Sequence, residues 1–197
     1  RLSAFLSATM PDEVLALANR LLKDPVKVDI LAAPDTAAAP PDIEERLFYV
    51  RSEDKHRLLL SWLEKDTTAS KVLLFCGTRS SADRVARTLG DRGVSLAVLH
   101  GELGQRARGE ALDALHTGQV RVLVATDLAA RGLDVEGITH VVNYHLPDEA
   151  RRYVHRIGRT ARAGAHGVAL SLCDTTERAH LAAIEALVGH PLPVKDN

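Results

Sequence analysis

The chain has 197 residues, 46% of them hydrophobic and 26% charged, which suits one ordinary domain with a packed core and some extra material. Its formal net charge of −1 excludes a polycation, so any binding of nucleic acid must come from a local patch of cations. Two cysteines, Cys76 and Cys173, form neither a C-x-x-C metal pair nor a disulfide framework, and each lies in an apolar run that suggests a buried thiol.

In chain order, the first stretch, "RLSAFLSATMP", lacks an initiator Met and begins inside what reads as a strand over 2–8. The expectation is a piece of a longer protein. A helix over 12–22 and a short strand over 26–30 follow. The segment 31–42, "LAAPDTAAAPPD", is rich in Ala and Pro without a hydrophobic period and reads as an extended linker. Six strands are then predicted over 46–50, 71–77, 95–100, 121–127, 140–145 and 167–173. Runs such as "KVLLFC" and "RVLVAT" are almost continuously apolar, as in strands buried on both faces. Helical patterns over 55–65, 80–92, 105–117, 148–162 and 176–188 alternate with them. The alternation implies an α/β fold with a mostly parallel central sheet and helices on both faces. No apolar run is long enough to span a bilayer, and a soluble cytoplasmic protein is the expectation.

Open parallel sheets bind ligands beyond the carboxyl ends of their strands. Those ends carry Thr78 and Arg79, then Gln105 and Arg108, then Thr126, Asp127, Arg131, Gly132 and Asp134. Each has a plainer reading: Thr78 can cap a helix near Ser80, Gln105 and Arg108 can be a solvated i,i+3 pair, and Asp134 can be a turn residue. The stretch "YVHRIGRTARAG" (153–164) is harder to dismiss. On one helix over 148–162, His155, Arg159 and Arg162 would share a face opposite Val154, Ile157 and Ala161. No carboxylate follows Glu149 there, so the aligned cations imply an anionic partner, most simply a phosphate. No Gly-Lys dipeptide occurs, so the usual phosphate loop is absent, as is an acidic pair placed for Mg²⁺. Arginines without such a loop read as fingers that complete a nucleotide site built elsewhere.

Five ordered segments, "SAT" (7–9), "LLFCGTR" (73–79), "HGELGQRAR" (100–108), "VLVATDLAARGLDV" (122–135) and "YVHRIGRTARAG", carry a resemblance to the C-terminal RecA-like half of bacterial DEAD-box RNA helicases, of the RhlE-like kind. The resemblance implies an edge of the first RecA-like domain over 1–30, a linker over 31–42 and the second RecA-like domain over 43–197. It implies that Arg159 and Arg162 reach the γ-phosphate of ATP held, with Mg²⁺, mainly by the first domain, which is thereby a partner. His155 would couple that site to the "SAT" segment, with Ser7 and Thr9 as coupling residues. Asp134, with Gly132 beside it, would meet the nucleotide and its ribose. Thr78, Gln105, Arg108, Thr126, Gly132 and, more weakly, Arg79 would hold the sugar-phosphate backbone of RNA, which positions a strand without reading its bases. Two departures are small: Ala161 stands where many members have Gly, and His145 where "NYD" is frequent. The alternatives left open are the second domain of a DNA translocase or repair helicase, and a non-enzymatic RNA-binding adaptor.

Overall fold

The computed structural model describes residues 12–23, 26, 42–130 and 135–195. The expected strands over 2–8 and 26–30, the linker over 31–42, and Ser7, Thr9, Arg131, Gly132 and Asp134 lie outside the described residues, apart from Val26 and Asp42. The chain divides into two compact units, Arg1–Pro34 and Asp35–Asn197. In the first, helix α1 runs over Asp12–Leu21, within one residue of expectation.

In the second unit the apolar runs become six strands: β1 Ile43–Tyr49, β2 Val72–Cys76, β3 Leu96–Leu99, β4 Val122–Thr126, β5 His140–Asn143 and β6 Gly167–Cys173. They form one sheet in the order β1-β6-β5-β2-β4-β3, and every pairing is parallel. Parallel neighbours cannot be joined by tight hairpins, so helices cross between them: α2 Lys55–Lys65, α3 Arg79–Gly90, α4 Gln105–His116, α5 Asp127–Ala130, α6 Ala150–Ile157 and α7 Arg178–Val188. Residues of β2 alternate between the two sides. Val72, Leu74 and Cys76 meet α2 and α3, while Leu73 and Phe75 meet the layer of α4 and α5. Tyr153 and Ile157 of α6 pack with Leu181 and Ile184 of α7 against Leu47 and Ala169. Helices therefore cover both faces, and both cysteines are buried free thiols.

Strand β1 begins three residues before its expected start. The three added residues are Ile43, Glu44 and Glu45, and the two carboxylates mask the strand in a hydrophobic count. Glu45 is nonetheless buried, and it accepts a hydrogen bond of 2.5 Å from the Tyr153 hydroxyl of α6.

A second buried charge organises the loop ahead of α6. Lys55 is fully buried, with its Nζ 2.5 Å from Glu177, 3.2 Å from Asp174 and 3.0 Å from the Tyr144 carbonyl. Glu177 also accepts from the Leu146 amide at 3.0 Å, so one ionic cluster fixes the segment leaving β5. Burial raises the Asp174 pKa, but hydrogen bonds from the Thr176 hydroxyl and amide, with the Lys55 charge, outweigh this and hold it at about 2.

Because the folded value lies below the ordinary 3.8, Asp174 contributes about 2 kcal/mol above pH ~4, which is lost as pH falls towards 2. Lys55→Met strands two buried carboxylates and is expected to lower the unfolding free energy by about 3–5 kcal/mol, measured by urea denaturation at neutral pH. It should also flatten the acid limb of the stability curve. An unchanged urea midpoint would remove the cluster from this role.

Candidate nucleotide and nucleic-acid site

All six strands point the same way, so their carboxyl ends share one edge, and β5, β2, β4 and β3 are consecutive along it. Thr78 lies just past β2, Thr126 ends β4, and Gln105 and Arg108 open α4 after β3. The sheet thus sets four of the expected residues on three adjacent strands, spaced roughly 5 Å apart in the hydrogen-bonding direction.

Their local bonding differs. Thr78 is the N-cap of α3: its hydroxyl accepts from the Ser81 amide at 3.1 Å, and the Ser81 hydroxyl accepts from the Thr78 amide at 3.1 Å. That is the plainer role weighed for it, and it fixes the hydroxyl at the strand end. Arg108 donates to the Ala129 carbonyl at 2.5 Å, tying α4 to α5. Gln105 is exposed on the first turn of α4. Arg79 pairs with Glu102 and lies 3.7 Å from Asp83, so part of its charge is met locally.

The arginine stretch folds otherwise than expected. Helix α6 ends at Ile157 with Gly158 as its cap, so Arg159 and Arg162 do not share a helical face with His155. Ala161 takes a left-handed conformation (φ 54°, ψ 34°), and a single 3₁₀ turn, Arg162–Gly164, follows. Two contacts stop the helix. The buried Thr160 hydroxyl donates to the Ile138 carbonyl at 2.6 Å, which pulls the chain onto the sheet. A Cβ on Gly167 would come within 2.5 Å of Thr160 and 2.8 Å of the Ala161 amide, so only glycine at the start of β6 admits the turn. Arg162 Nε then reaches back to the Gly158 carbonyl at 3.2 Å.

The stretch holds no carboxylate of its own, but the expectation that its cations go unmet within the chain fails for one arginine. Arg156 is buried, and its Nε and Nη2 each lie 2.7 Å from the two oxygens of Asp127 at the end of β4. Its Nη1 donates to Asn143 at 3.0 Å and to the His145 carbonyl at 2.7 Å, and its guanidinium lies 4.8 Å from the Phe75 ring centre. Four donors of the planar fork are thereby engaged, which suits arginine and no other side chain. Sequence reasoning missed this clamp because Asp127 is distant in the chain. The signal available was a carboxylate directly after a buried strand.

Around the clamp lies a shallow hollow of about 80 Å³, lined by Phe75, Asp127, Ala130, Arg152, His155, Arg156 and Arg159. His155 and Arg159 therefore line one hollow together with the buried Arg156. Arg159 and Arg162 are both partly exposed. Next to the hollow, His145 Nδ1 accepts from the Gly77 amide at 3.2 Å. Burial, then the charges of Lys55 and Arg156, push its pKa down to about 4, so the ring is neutral with its proton on Nε2 at physiological pH. Among the described residues no group of three or more His, Cys, Asp or Glu could hold a metal ion, and no helix is long and apolar enough to cross a membrane.

A single parallel sheet carries cationic and hydroxyl side chains along its carboxyl edge, the edge at which open α/β domains bind ligands. Residues 54–164 match the helicase conserved C-terminal domain. The chain belongs to that family, as the C-terminal RecA-like domain of the DEAD-box type. It is 42% identical over 196 residues to the ATP-dependent RNA helicase RhlB of Shewanella sp. (strain W3-18-1), covering 100% of this chain and 44% of that protein. The chain thus spans under half the length of this relative. These relatives carry the name RhlB and not the RhlE that the motifs suggest, within the same family. Among solved structures, the E. coli DEAD-box protein SrmB, crystallised with regulator of ribonuclease activity A, is 34% identical with a TM-score of 0.76, covering 80% of this chain and 93% of that one. S. cerevisiae Dbp5 bound to RNA and ADP BeF3 is 28% identical with a TM-score of 0.81, covering 95% of this chain and 50% of that one.

Arg156→Lys keeps the charge and loses the fork. It is expected to lower the unfolding free energy by about 2 kcal/mol, whereas Arg106→Lys, in an exposed pair with Glu110, stays within about 0.5 kcal/mol. Ala161→Gly relieves the left-handed strain and is expected to stabilise by up to about 1 kcal/mol, read as a rise of a few degrees in melting temperature. A fall on Ala161→Gly would contradict the geometry of the turn.

Proposed function

We propose that this chain is the second lobe of an ATP-dependent RNA helicase, which unwinds or remodels RNA as two RecA-like domains close around ATP and RNA. The observation that carries the reading is the clamp of Arg156 on Asp127, which sets His155 and Arg159 around one hollow at the strand-end edge. In this reading Arg159 and Arg162 neutralise charge developing on the γ-phosphate of a nucleotide held by the companion lobe. Preorganised cations of this kind need no rearrangement at the moment of transfer. His155 relays closure towards Ser7 and Thr9, and Asp134 with Gly132 meets the nucleotide.

Thr78, Gln105, Arg108, Thr126 and Gly132, with Arg79, bind RNA through its sugar-phosphate backbone. Support comes from the row of adjacent strand ends and from the solved Dbp5 structure with RNA. Residues 1–30 belong in this scheme to the edge of the first lobe, 31–42 to the linker and 43–197 to the second lobe. Mg²⁺ accompanies the nucleotide and supplies charge neutralisation there. In this reading it is held mainly by the companion lobe. The protein works in the cytoplasm.

The test uses the whole protein that contains this lobe. Arg162→Ala is expected to lower RNA-stimulated ATP hydrolysis at least about 10³-fold while RNA affinity without nucleotide stays within about twofold. The 197-residue chain alone is expected to bind ATP weakly and not to turn it over. Full ATPase in the Arg162→Ala protein would favour an RNA-binding adaptor, and stronger stimulation by DNA than by RNA would favour a DNA translocase.

A further inference from the structure

The strand-end edge does not stop at Thr78. On the α2–α3 face lies a second, larger hollow of about 510 Å³, lined by Ser52, Glu53, His56, Arg84, Val85, Thr88, Tyr144 and His145. We propose that this hollow is a further phosphate subsite, which holds the backbone of single-stranded RNA where it runs past the strand-end row onto the groove between α2 and α3. The proposal rests on the RNA reading above and extends it to residues outside every motif that carried the resemblance, apart from the neighbouring strand end.

The argument is one of continuity and of charge. His145 joins the two hollows: its carbonyl accepts from Arg156 on one side, its Nδ1 accepts from the Gly77 amide, and its ring lines the second hollow. A neutral ring bonded in this way carries its proton on Nε2, which makes it a donor. Thr78 directly follows Gly77, and Arg84 stands six residues into the helix that Thr78 caps, about 9 Å along its axis. Arg84, Val85 and Thr88 share one face of α3, which is the wall of the hollow.

Arg84 is exposed, and among the described residues no carboxylate forms an ion pair or hydrogen bond with its guanidinium. His56 adds a second donor from α2, and Ser52 a hydroxyl. The one carboxylate on the rim, Glu53, lies 3.4 Å from Arg51, which meets its charge. Burial first, and then the charges of Lys55, Arg156 and Arg84 against the opposing charge of Asp174, depress the His145 pKa, so the ring presents a neutral donor here. A planar cation, neutral donors and hydroxyls fit phosphate and ribose oxygens, and nothing there is shaped to read a base.

The experiment measures binding of the 197-residue chain to 5′-labelled oligouridylates by fluorescence anisotropy across a salt series. A short strand of about five nucleotides occupies the strand-end row alone, whereas one of about twelve can also enter the hollow. Arg84→Ala is expected to weaken the longer strand roughly three- to tenfold and to make its salt slope shallower by about 0.7, one phosphate's worth, with the short strand unchanged. Arg84→Lys should restore part of the loss. Arg87→Ala, exposed on the same helix but outside the hollow, controls for general charge and should affect both lengths alike.

Equal weakening of both strands by Arg84→Ala, or no effect on either, overturns the subsite. Arg108→Ala separates that failure from failure of the underlying reading. If Arg108→Ala weakens both strands while Arg84→Ala does nothing, only the subsite falls. If the unaltered chain binds neither strand, or Arg108→Ala is silent with both, the RNA reading falls with it.

Discussion

A guanidinium buried under the carboxyl edge of the sheet sets the geometry of everything above it. Arg156 could not be buried alone, since an unpaired interior charge costs several kcal/mol. Asp127 meets it with both oxygens, and Asn143 and the His145 carbonyl take two further bonds. These partners come from the ends of β4 and β5, while Arg156 itself belongs to α6. One side chain thereby fixes a helix to two strand ends, and the exposed neighbours His155 and Arg159 inherit its position. Phe75 beneath the guanidinium supplies the apolar floor from β2, the strand between them.

The arginines of this stretch divide by task. Arg156 is spent inside the fold, where its charge is fully met. Arg159 and Arg162 follow the helix on a turn that the sheet dictates. Thr160 is held to the Ile138 carbonyl, Gly167 leaves room for the turn, and Ala161 accepts a left-handed backbone that costs about 1–2 kcal/mol. Strain at that place is tolerated because buried contacts on both sides over-determine the conformation.

The parallel sheet was legible from the sequence because its strands are buried on both faces and so stay apolar along their length. β2, "VLLFC", and β4, "VLVAT", are of this kind. The start of β1 was not legible, since Glu44 and Glu45 are charged and the burial of Glu45 depends on Tyr153, more than a hundred residues later. The break after Ile157 was hidden for the same reason. Gly158 hinted at it, but the contacts that stop the helix come from Ile138 and Gly167. The strand-end row was foreseen because a strand's direction fixes where its last residue lies. Arg156's partner was not, because a linear pattern of cations says nothing about a carboxylate delivered by another strand. Lys55 and its two carboxylates were missed likewise, being joined only in three dimensions.

The central claim is that this lobe keeps one arginine for itself and lends two to a nucleotide held opposite. A crystal structure of the whole protein with single-stranded RNA and a non-hydrolysable ATP analogue tests it directly. The account expects the guanidiniums of Arg159 and Arg162 within about 3 Å of terminal phosphate oxygens while Arg156 remains on Asp127. Arg159 and Arg162 turned away from the nucleotide, or Arg156 released from Asp127 to contact it, would contradict the account.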